Sequence, residues 1–262
     1  MNEKTDVNFD SSSGFKMAGT DSAIEEAIAK HCEDFELSPL DAVKLFPVLA
    51  RRQNLKRFLA HNDLFKLTLQ VPGDIAELGV FRGLGLLTWA NLLESYCIGD
   101  RTKTVYGFDN WAGFKQFDSE DGEQKASSGK VVGGFNPENF KGELQSALKI
   151  FDADRFIPWK PRVQLIDGDI ENSVPKFVKD NPGVRFSLVH FDCDLYRPTK
   201  AALEAIWPRV SRGGVVIFDE YAIHDWPGET QAVDEFFEET SSNSRVVTLD
   251  WTNVPGGYIV KD

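Results

Sequence analysis

The chain has 262 residues, 27% of them charged, and a net charge of −12 at pH 7. That acidity excludes the basic stripe a nucleic-acid partner needs, and no apolar run is long enough to span a bilayer. The length suits one large α/β domain with an appendage and a full core. Cys32, Cys97 and Cys193 are odd in number and widely spaced. They read as reduced thiols of a cytoplasmic protein. No C-x-x-C or H-x-x-x-H pair offers a zinc site, and the N-terminus has no apolar stretch of a secretory signal.

Residues 1–20 are polar and Ser/Gly-rich and are expected to form a mobile tail, with Phe9, Phe15 and Met17 available to dock. Residues 21–70 read as a helical segment that covers the site or pairs with another subunit, giving a homo-oligomer, a dimer or larger. Ser22-x-x-Glu25 has the pattern of a capping box, and Ser38-Pro39 marks a second helix start, with a break at Pro47. His31 and His61 are expected as helix-surface or capping residues. Pro72-Gly73 punctuates the entry to residues 71–262, the main domain.

That domain is organised around Asp74-Ile-Ala-Glu77-Leu-Gly79-Val-Phe-Arg82-Gly83-Leu-Gly85. It reads as a buried strand, a glycine turn and a helix, a unit that brings a ligand against backbone N–H groups. The spacing is G-x-x-x-G-x-G and differs from the dinucleotide pattern G-x-G-x-x-G. Glu77, ahead of the first glycine, suits a cation better than a pyrophosphate. S-adenosylmethionine, with its ammonium and sulfonium, fits that charge. A tight turn with no ligand fits the stretch equally well. Glu77, Gly79, Arg82 and Gly83 are its candidate cofactor-binding residues.

Lys103–Asp109 reads as the second strand. Its terminal Asp109 is placed to accept from ribose hydroxyls, or merely to cap the next turn. Residues 111–139 are polar, Gly-rich and spiked with Trp111, Phe114 and Phe135. A loop of this length is expected as a substrate lid or a plain surface insertion. Arg162–Ile170 is the third strand and its exit, where Asp169 would accept from an adenine amino group while Ile170 packs on the ring. Phe186–Phe191 is the fourth strand, ending at Asp192-Cys193-Asp194, and Ala201–Val210 a helix with Arg212-Gly213-Gly214 as its terminal turn. Val215–Phe218 is the fifth strand, ending at Asp219-Glu220-Tyr221. A helix over Glu229–Glu239 and a hairpin from Arg245–Asp250 to Gly257–Val260 close the chain. Alternating strands and helices imply a doubly wound, mostly parallel Rossmann-like sheet with an antiparallel C-terminal hairpin.

Asp192, Asp219 and Glu220 end neighbouring parallel strands, and so share one sheet edge. Three carboxylates there repel each other unless a hard cation such as Mg²⁺ or Mn²⁺ joins them. Solvated strand caps are the plainer account.

Taken together, Glu-Leu-Gly-Val-Phe-Arg-Gly, Phe-Asp-x-Trp-x-Gly-Phe, Asp192-Cys-Asp-Leu-Tyr-x-x-Thr and Gly213-Gly-Val-Val-Ile-Phe-Asp-Glu-Tyr resemble the macrocin O-methyltransferase (TylF/MycF) family over about residues 70–240. The resemblance implies a class I, S-adenosylmethionine- and Mg²⁺-dependent sugar O-methyltransferase. It implies that Asp192, Asp219 and Glu220 hold the ion, with Asp192 also at the cofactor. Two positions depart from the family pattern: Cys193 where the family has Gly, and Glu220 where it has Asp. Asp192 is the first candidate for the base, and His224, in the loop after the fifth strand, is the histidine candidate. The acceptor would be a sugar hydroxyl on a natural-product glycoside, a nucleotide sugar or a polysaccharide precursor. Competing expectations are a nicotinamide-dependent oxidoreductase on the same sheet, or a methyltransferase-like binding subunit without catalysis.

Overall fold

The computed structural model describes residues 18–136, 140–240 and 244–262. The tail with Phe9, Phe15 and Met17 lies outside them. The chain divides into two units, Met1–Leu55 and Lys56–Asp262.

In the first unit, α1 spans Ala18–Asp34, α2 Pro39–Lys44 and α3 Phe46–Leu49, and α4, Arg52–Lys66, begins there. Because α1 starts ahead of Ser22, the Ser22–Glu25 pair lies inside the helix and caps nothing. No proline interrupts the residues before it. The second cap is real. The Asp41 N–H donates to Ser38 Oγ at 3.2 Å, and the Ser38 N–H donates back to Asp41 Oδ2 at 3.1 Å. The chain breaks again where Phe46-Pro47 opens α3.

The second unit holds a six-stranded sheet in the order β3-β2-β1-β4-β5-β6. The strands are β1 Asp74–Leu78, β2 Val105–Asp109, β3 Val163–Asp167, β4 Phe186–Phe191, β5 Val210–Phe218 and β6 Gly257–Val260. All pairs are parallel except β5 with β6. Alternation along the strands sends Ala76, Leu78, Val189, Phe191, Val216 and Phe218 to one face. There they pack on α7 (Ile170–Asp180), α8 (Tyr196–Ile206) and α9 (Pro227–Glu239). Ile75, Leu188, Val215 and Ile217 go to the other face, against Leu64 and Phe65 of α4, Leu86, Trp89 and Leu93 of α5 (Leu84–Tyr96), and Leu144 of α6 (Lys141–Asp154). Strand order reverses between β1 and β4, which opens a crevice at the strands' carboxyl ends.

Three expectations change. Gly213-Gly214 lies within β5, where the register with β4 shifts, and ends no helix. Gly213 has φ +78°, and a Cβ on Gly214 would come 2.8 Å from the Ser211 carbonyl oxygen, so the pair builds an irregular strand entry. The fourth helix of the domain starts earlier than expected, at Tyr196. Arg245–Asp250 forms only the isolated bridges Val247–Tyr258 and Leu249–Thr252, so β6 pairs with β5 and not with a full hairpin arm.

The insertion after β2 is anchored structure. It folds short 3-10 turns at Ser119–Asp121 and Ala126–Ser128. Asp121 is buried and accepts the Tyr196 N–H at 2.7 Å, at the start of α8. Lys130, also buried, donates to the carbonyls of Asp121 and Asp225. Burial and ionic anchoring of this kind exceed what a polar surface loop makes. Among the described residues no helix is long and apolar enough to cross a membrane.

Candidate active site

The glycine turn follows directly from β1. Gly79 has φ +90°, and a Cβ there would lie 1.9 Å from the Asp192 carbonyl oxygen, so only glycine lets the exit of β4 pass. Asp109, at the end of β2, closes the turn. Its Oδ2 accepts from the N–H groups of Val80 (2.8 Å) and Phe81 (3.1 Å), and its Oδ1 from Trp111 (2.7 Å). The expected ribose acceptor thus already orders the turn, with lone pairs left for a further donor. Gly83 precedes α5 in the left-handed region, where a Cβ would strike Leu144 at 2.4 Å.

Glu77 is buried on the α5 side of the sheet. A Cβ on Gly85 would lie 2.7 Å from both of its carboxylate oxygens. Burial pushes its pKa up, and His190 opposes the rise. It faces α5 and His190. Arg82 reaches α6, pairing with Glu143 at 2.7 Å and lying over the Phe140 ring. Asp169 accepts from Lys115 of the insertion at 2.7 Å and from Asn110 at 3.2 Å. Ile170 opens α7 and is partly buried against the core. Trp111 is itself buried, with its indole N–H on Asp167 at 2.6 Å.

Beside the turn stands an aromatic surface. Phe81 contacts Phe135 and Phe140, while Phe114 contacts Phe117, Phe135 and Trp226. Phe81 and Phe135 both have φ +48°, a strained conformation for a bulky side chain. Both rings remain exposed.

The acid centre sits at the ends of β4 and β5. Arg57 of α4 spans two of its members: Nη2 donates to Asp192 Oδ2 at 2.9 Å and Nη1 to Asp219 Oδ2 at 3.0 Å. His190 Nε2 lies 3.3 Å from Asp219 Oδ1, and its Nδ1 lies 3.8 Å from Glu77 Oε2. Burial works against the charge of His190, but the flanking carboxylates lift its pKa to about 10. Burial would also raise Asp219, yet Arg57 and His190 hold its carboxyl below the usual range. Asp192 is raised to about 7 by burial and by the Asp219 charge. Burial and neighbouring carboxylates push Asp194, Glu220 and Glu229 well up. Glu229 Oε1 accepts the Glu220 N–H at 2.8 Å and fixes that backbone.

Sequence reasoning missed Arg57, Asp194 and Glu229, and placed His61 wrongly. His61 is 1% exposed, stacks on Trp89 at 4.4 Å and meets His190 edge-on. Arg57 shares the i, i+4, i+7 face with His61 and Leu64. A charged residue on a buried stripe was the available signal. Tyr196 and Arg197 are held by Glu235 and Asp118. His224 is fully exposed, 3.5 Å from Asp225, and is not drawn into the centre.

Among the described residues, side chains able to share a metal ion are Asp192–Asp194–Glu220, Glu77–His190–Asp192 and His61–His190–Asp219. The first set is all-oxygen and partly open to solvent, which suits a hard ion such as Mg²⁺.

The family described as macrocin-O-methyltransferase (TylF) matches residues 49–255. The chain is 27% identical over 182 residues to the mycinamicin III 3''-O-methyltransferase of Micromonospora griseorubida, covering 69% of this chain and 66% of that protein. It is 27% identical over 195 residues to the 8-demethyl-8-(2,3-dimethoxy-alpha-L-rhamnosyl)-tetracenomycin-C 4'-O-methyltransferase of Streptomyces olivaceus, covering 67% and 69%. The match thus spans just under two thirds of the first relative's length and slightly more of the second's. Among solved structures, the calicheamicin methyltransferase CalS11 superposes with a TM-score of 0.86 at 27% identity, covering 99% of both chains.

Proposed function

Because the chain belongs to the macrocin-O-methyltransferase (TylF) family, we propose that it moves a methyl group from S-adenosylmethionine to a sugar hydroxyl, with Mg²⁺ or Mn²⁺ at the acid centre. The observation that carries this reading is a convergence at one sheet edge. The glycine turn after β1 adjoins the carboxylates that end β4 and β5, and the Asp192 carbonyl lies against Gly79. The family match lends nothing to an oxidoreductase or to a non-catalytic subunit. Both curated relatives named above methylate glycosides by their names, which favours a natural-product glycoside as acceptor. The exposed Phe81 and Phe135 rings supply an apolar surface for the part of such a molecule beyond its sugar.

The residues divide the work. The turn, closed by Asp109, presents its backbone and Gly83 to the cofactor, and Asp109 and Asp169 offer acceptors for ribose and adenine. S-adenosylmethionine supplies the electrophilic methyl group. A bound divalent ion supplies Lewis acidity, which lowers the pKa of an acceptor hydroxyl. Asp192 Oδ1 and Glu220 Oε2 carry no hydrogen bond and could serve such an ion, whereas both Asp219 oxygens meet Arg57 and His190. Asp192 is the group placed to take the hydroxyl proton.

The test is incubation of the purified protein with labelled S-adenosylmethionine, Mg²⁺ and a panel of glycosides, nucleotide sugars and free sugars. Label on a sugar oxygen is the expected product. Failure to bind either S-adenosylmethionine or S-adenosylhomocysteine overturns the reading.

A further inference from the structure

We propose that Lys130 is a positioning residue for acceptor recognition: its buried ammonium sets Trp226 against Phe114 and Phe135, and the three rings form the wall on which an apolar ring aglycone of the acceptor lies. The proposal rests on the methyltransferase reading for the presence of a glycoside acceptor, and adds to it the residue that shapes selectivity.

Lys130 has no part in the chemistry at the acid centre, yet it is only 1% exposed. Its ammonium donates to the carbonyls of Asp121 and Asp225 and lies over the Trp226 ring, 5.0 Å from the centroid. One carbonyl belongs to the insertion after β2, the other to the loop between β5 and α9, next to Trp226. Three N–H donors on a flexible stem suit a lysine to tie two backbone segments at once. Burying an ammonium costs stability unless its donors are used, and a plain surface loop has no call for one.

Both ends of the tie are fixed. Asp121, also buried, accepts the Asp118 N–H at 2.8 Å and the Tyr196 N–H at 2.7 Å. A Cβ on Gly228 would lie 2.1 Å from Asp121 Oδ1, so the start of α9 closes on the same carboxylate. Lys125 pairs with the Asp225 carboxylate. The insertion is thereby locked onto the starts of α8 and α9, the helices that follow β4 and β5.

The same scaffold places the rings. The Phe114 N–H donates to the Gly134 carbonyl at 3.2 Å, and the Gly133 N–H donates to the Phe114 carbonyl at 2.7 Å. These bonds pin the two arms of the insertion together. Phe114 and Phe135 then meet at 5.6 Å, and Trp226 meets them at 5.8 and 6.3 Å. Phe135 continues to Phe81 of the glycine turn at 5.7 Å. The wall runs from that turn to the loop that leaves the acid centre, and its tilted rings offer faces and edges to an apolar ring system. An ammonium over an indole ring is attracted to it, so removing the charge frees Trp226 to turn away from Phe114 and Phe135.

The test is steady-state methyl transfer to the phenyl and methyl glycosides of the sugar that the purified protein methylates. Circular dichroism and S-adenosylhomocysteine binding accompany every variant. The wild type is expected to show a KM about tenfold lower for the phenyl glycoside. Lys130→Met keeps the stem and removes the charge and the donors. It is expected to raise the KM of the phenyl glycoside about tenfold, while kcat and the KM of the methyl glycoside change by less than about twofold. A merely structural role weakens both acceptors and kcat together. Trp226→Leu is expected to give the same selective loss. The double variant is expected to be no worse than Trp226→Leu alone, since Lys130 acts through Trp226. If Lys130→Met fails to fold, Lys130→Gln and Trp226→Leu carry the comparison. Additive KM effects, equal losses on both glycosides, or a folded Lys130→Met with an unchanged phenyl glycoside KM overturn the inference. A wild type that methylates both glycosides with one KM also overturns it and leaves the methyltransferase reading intact. Absence of S-adenosylhomocysteine binding falls on the functional reading itself.

Discussion

The turn after β1 and the acid centre after β4 and β5 share one sheet edge but are built in opposite ways. At the turn, polar groups are matched: one carboxylate, Asp109, accepts three backbone N–H groups. At the acid centre, Asp192, Asp194, Asp219, Glu220 and Glu229 crowd together, and Arg57 and His190 are the cations in direct contact with them. Glu77, Glu220, Glu229 and His190 each keep a buried polar atom without a partner. Buried groups of that kind cost stability in a resting protein. The contrast teaches that the turn is complete in its own hydrogen bonds, while the acid centre is held short of satisfaction.

Breaking the finished side gives the largest effect. Gly79→Ala places a Cβ against the Asp192 carbonyl and forces a strained φ. It is expected to cost about 4 kcal/mol or more, or to prevent folding, as measured by thermal unfolding. A near-native Tm contradicts the close packing of the two regions. On the unfinished side, Asp192→Asn is expected to lower methyl transfer about a hundredfold or more. S-adenosylhomocysteine affinity should shift by only a few fold, since the turn is intact, and calorimetry beside turnover separates the two. Arg57→Gln leaves Asp219 a buried carboxylate with His190 as its remaining cation. With Arg57 26% exposed, the loss is expected to be about 2 kcal/mol in denaturant unfolding. No loss means the bridge is idle.

Smaller effects sharpen the comparison. Phe135→Ala removes an exposed ring from the aromatic surface and should raise the acceptor KM about tenfold with kcat kept. An unchanged KM removes that surface from acceptor binding. The smallest effect is a pH dependence in the metal-free protein. The pKa of His190 is raised from its ordinary 6.5 to about 10, so its contribution to stability is complete below 6.5 and declines as pH rises toward 10. His190→Gln should flatten that part of the Tm profile. An unaltered slope places the titration elsewhere.

Legibility in the sequence followed the same division. The glycine spacing, the strand alternation and the acids at strand ends are local patterns, and they located the sheet edge and the turn. Arg57 was not legible as a site residue because its partners lie 135 and 162 residues away. Its only trace is a charge on the buried stripe of α4. His61 read as a surface residue because its environment is supplied by Trp89 and His190, on other elements. Residues 111–136 have the composition of a loop, yet Asp121 and Lys130 tie them to α8 and Asp225 through contacts that no local window contains. Gly213-Gly214 read as a helix end because a glycine pair with one positive φ serves a cap and a strand irregularity alike.

The most direct measurement is methyl transfer from labelled S-adenosylmethionine to the glycoside panel, in EDTA and again after Mg²⁺ is restored. The account predicts label on a sugar hydroxyl that is absent in EDTA and recovered with Mg²⁺. Equal transfer under both conditions would contradict the claim that the acid centre works by taking up a cation.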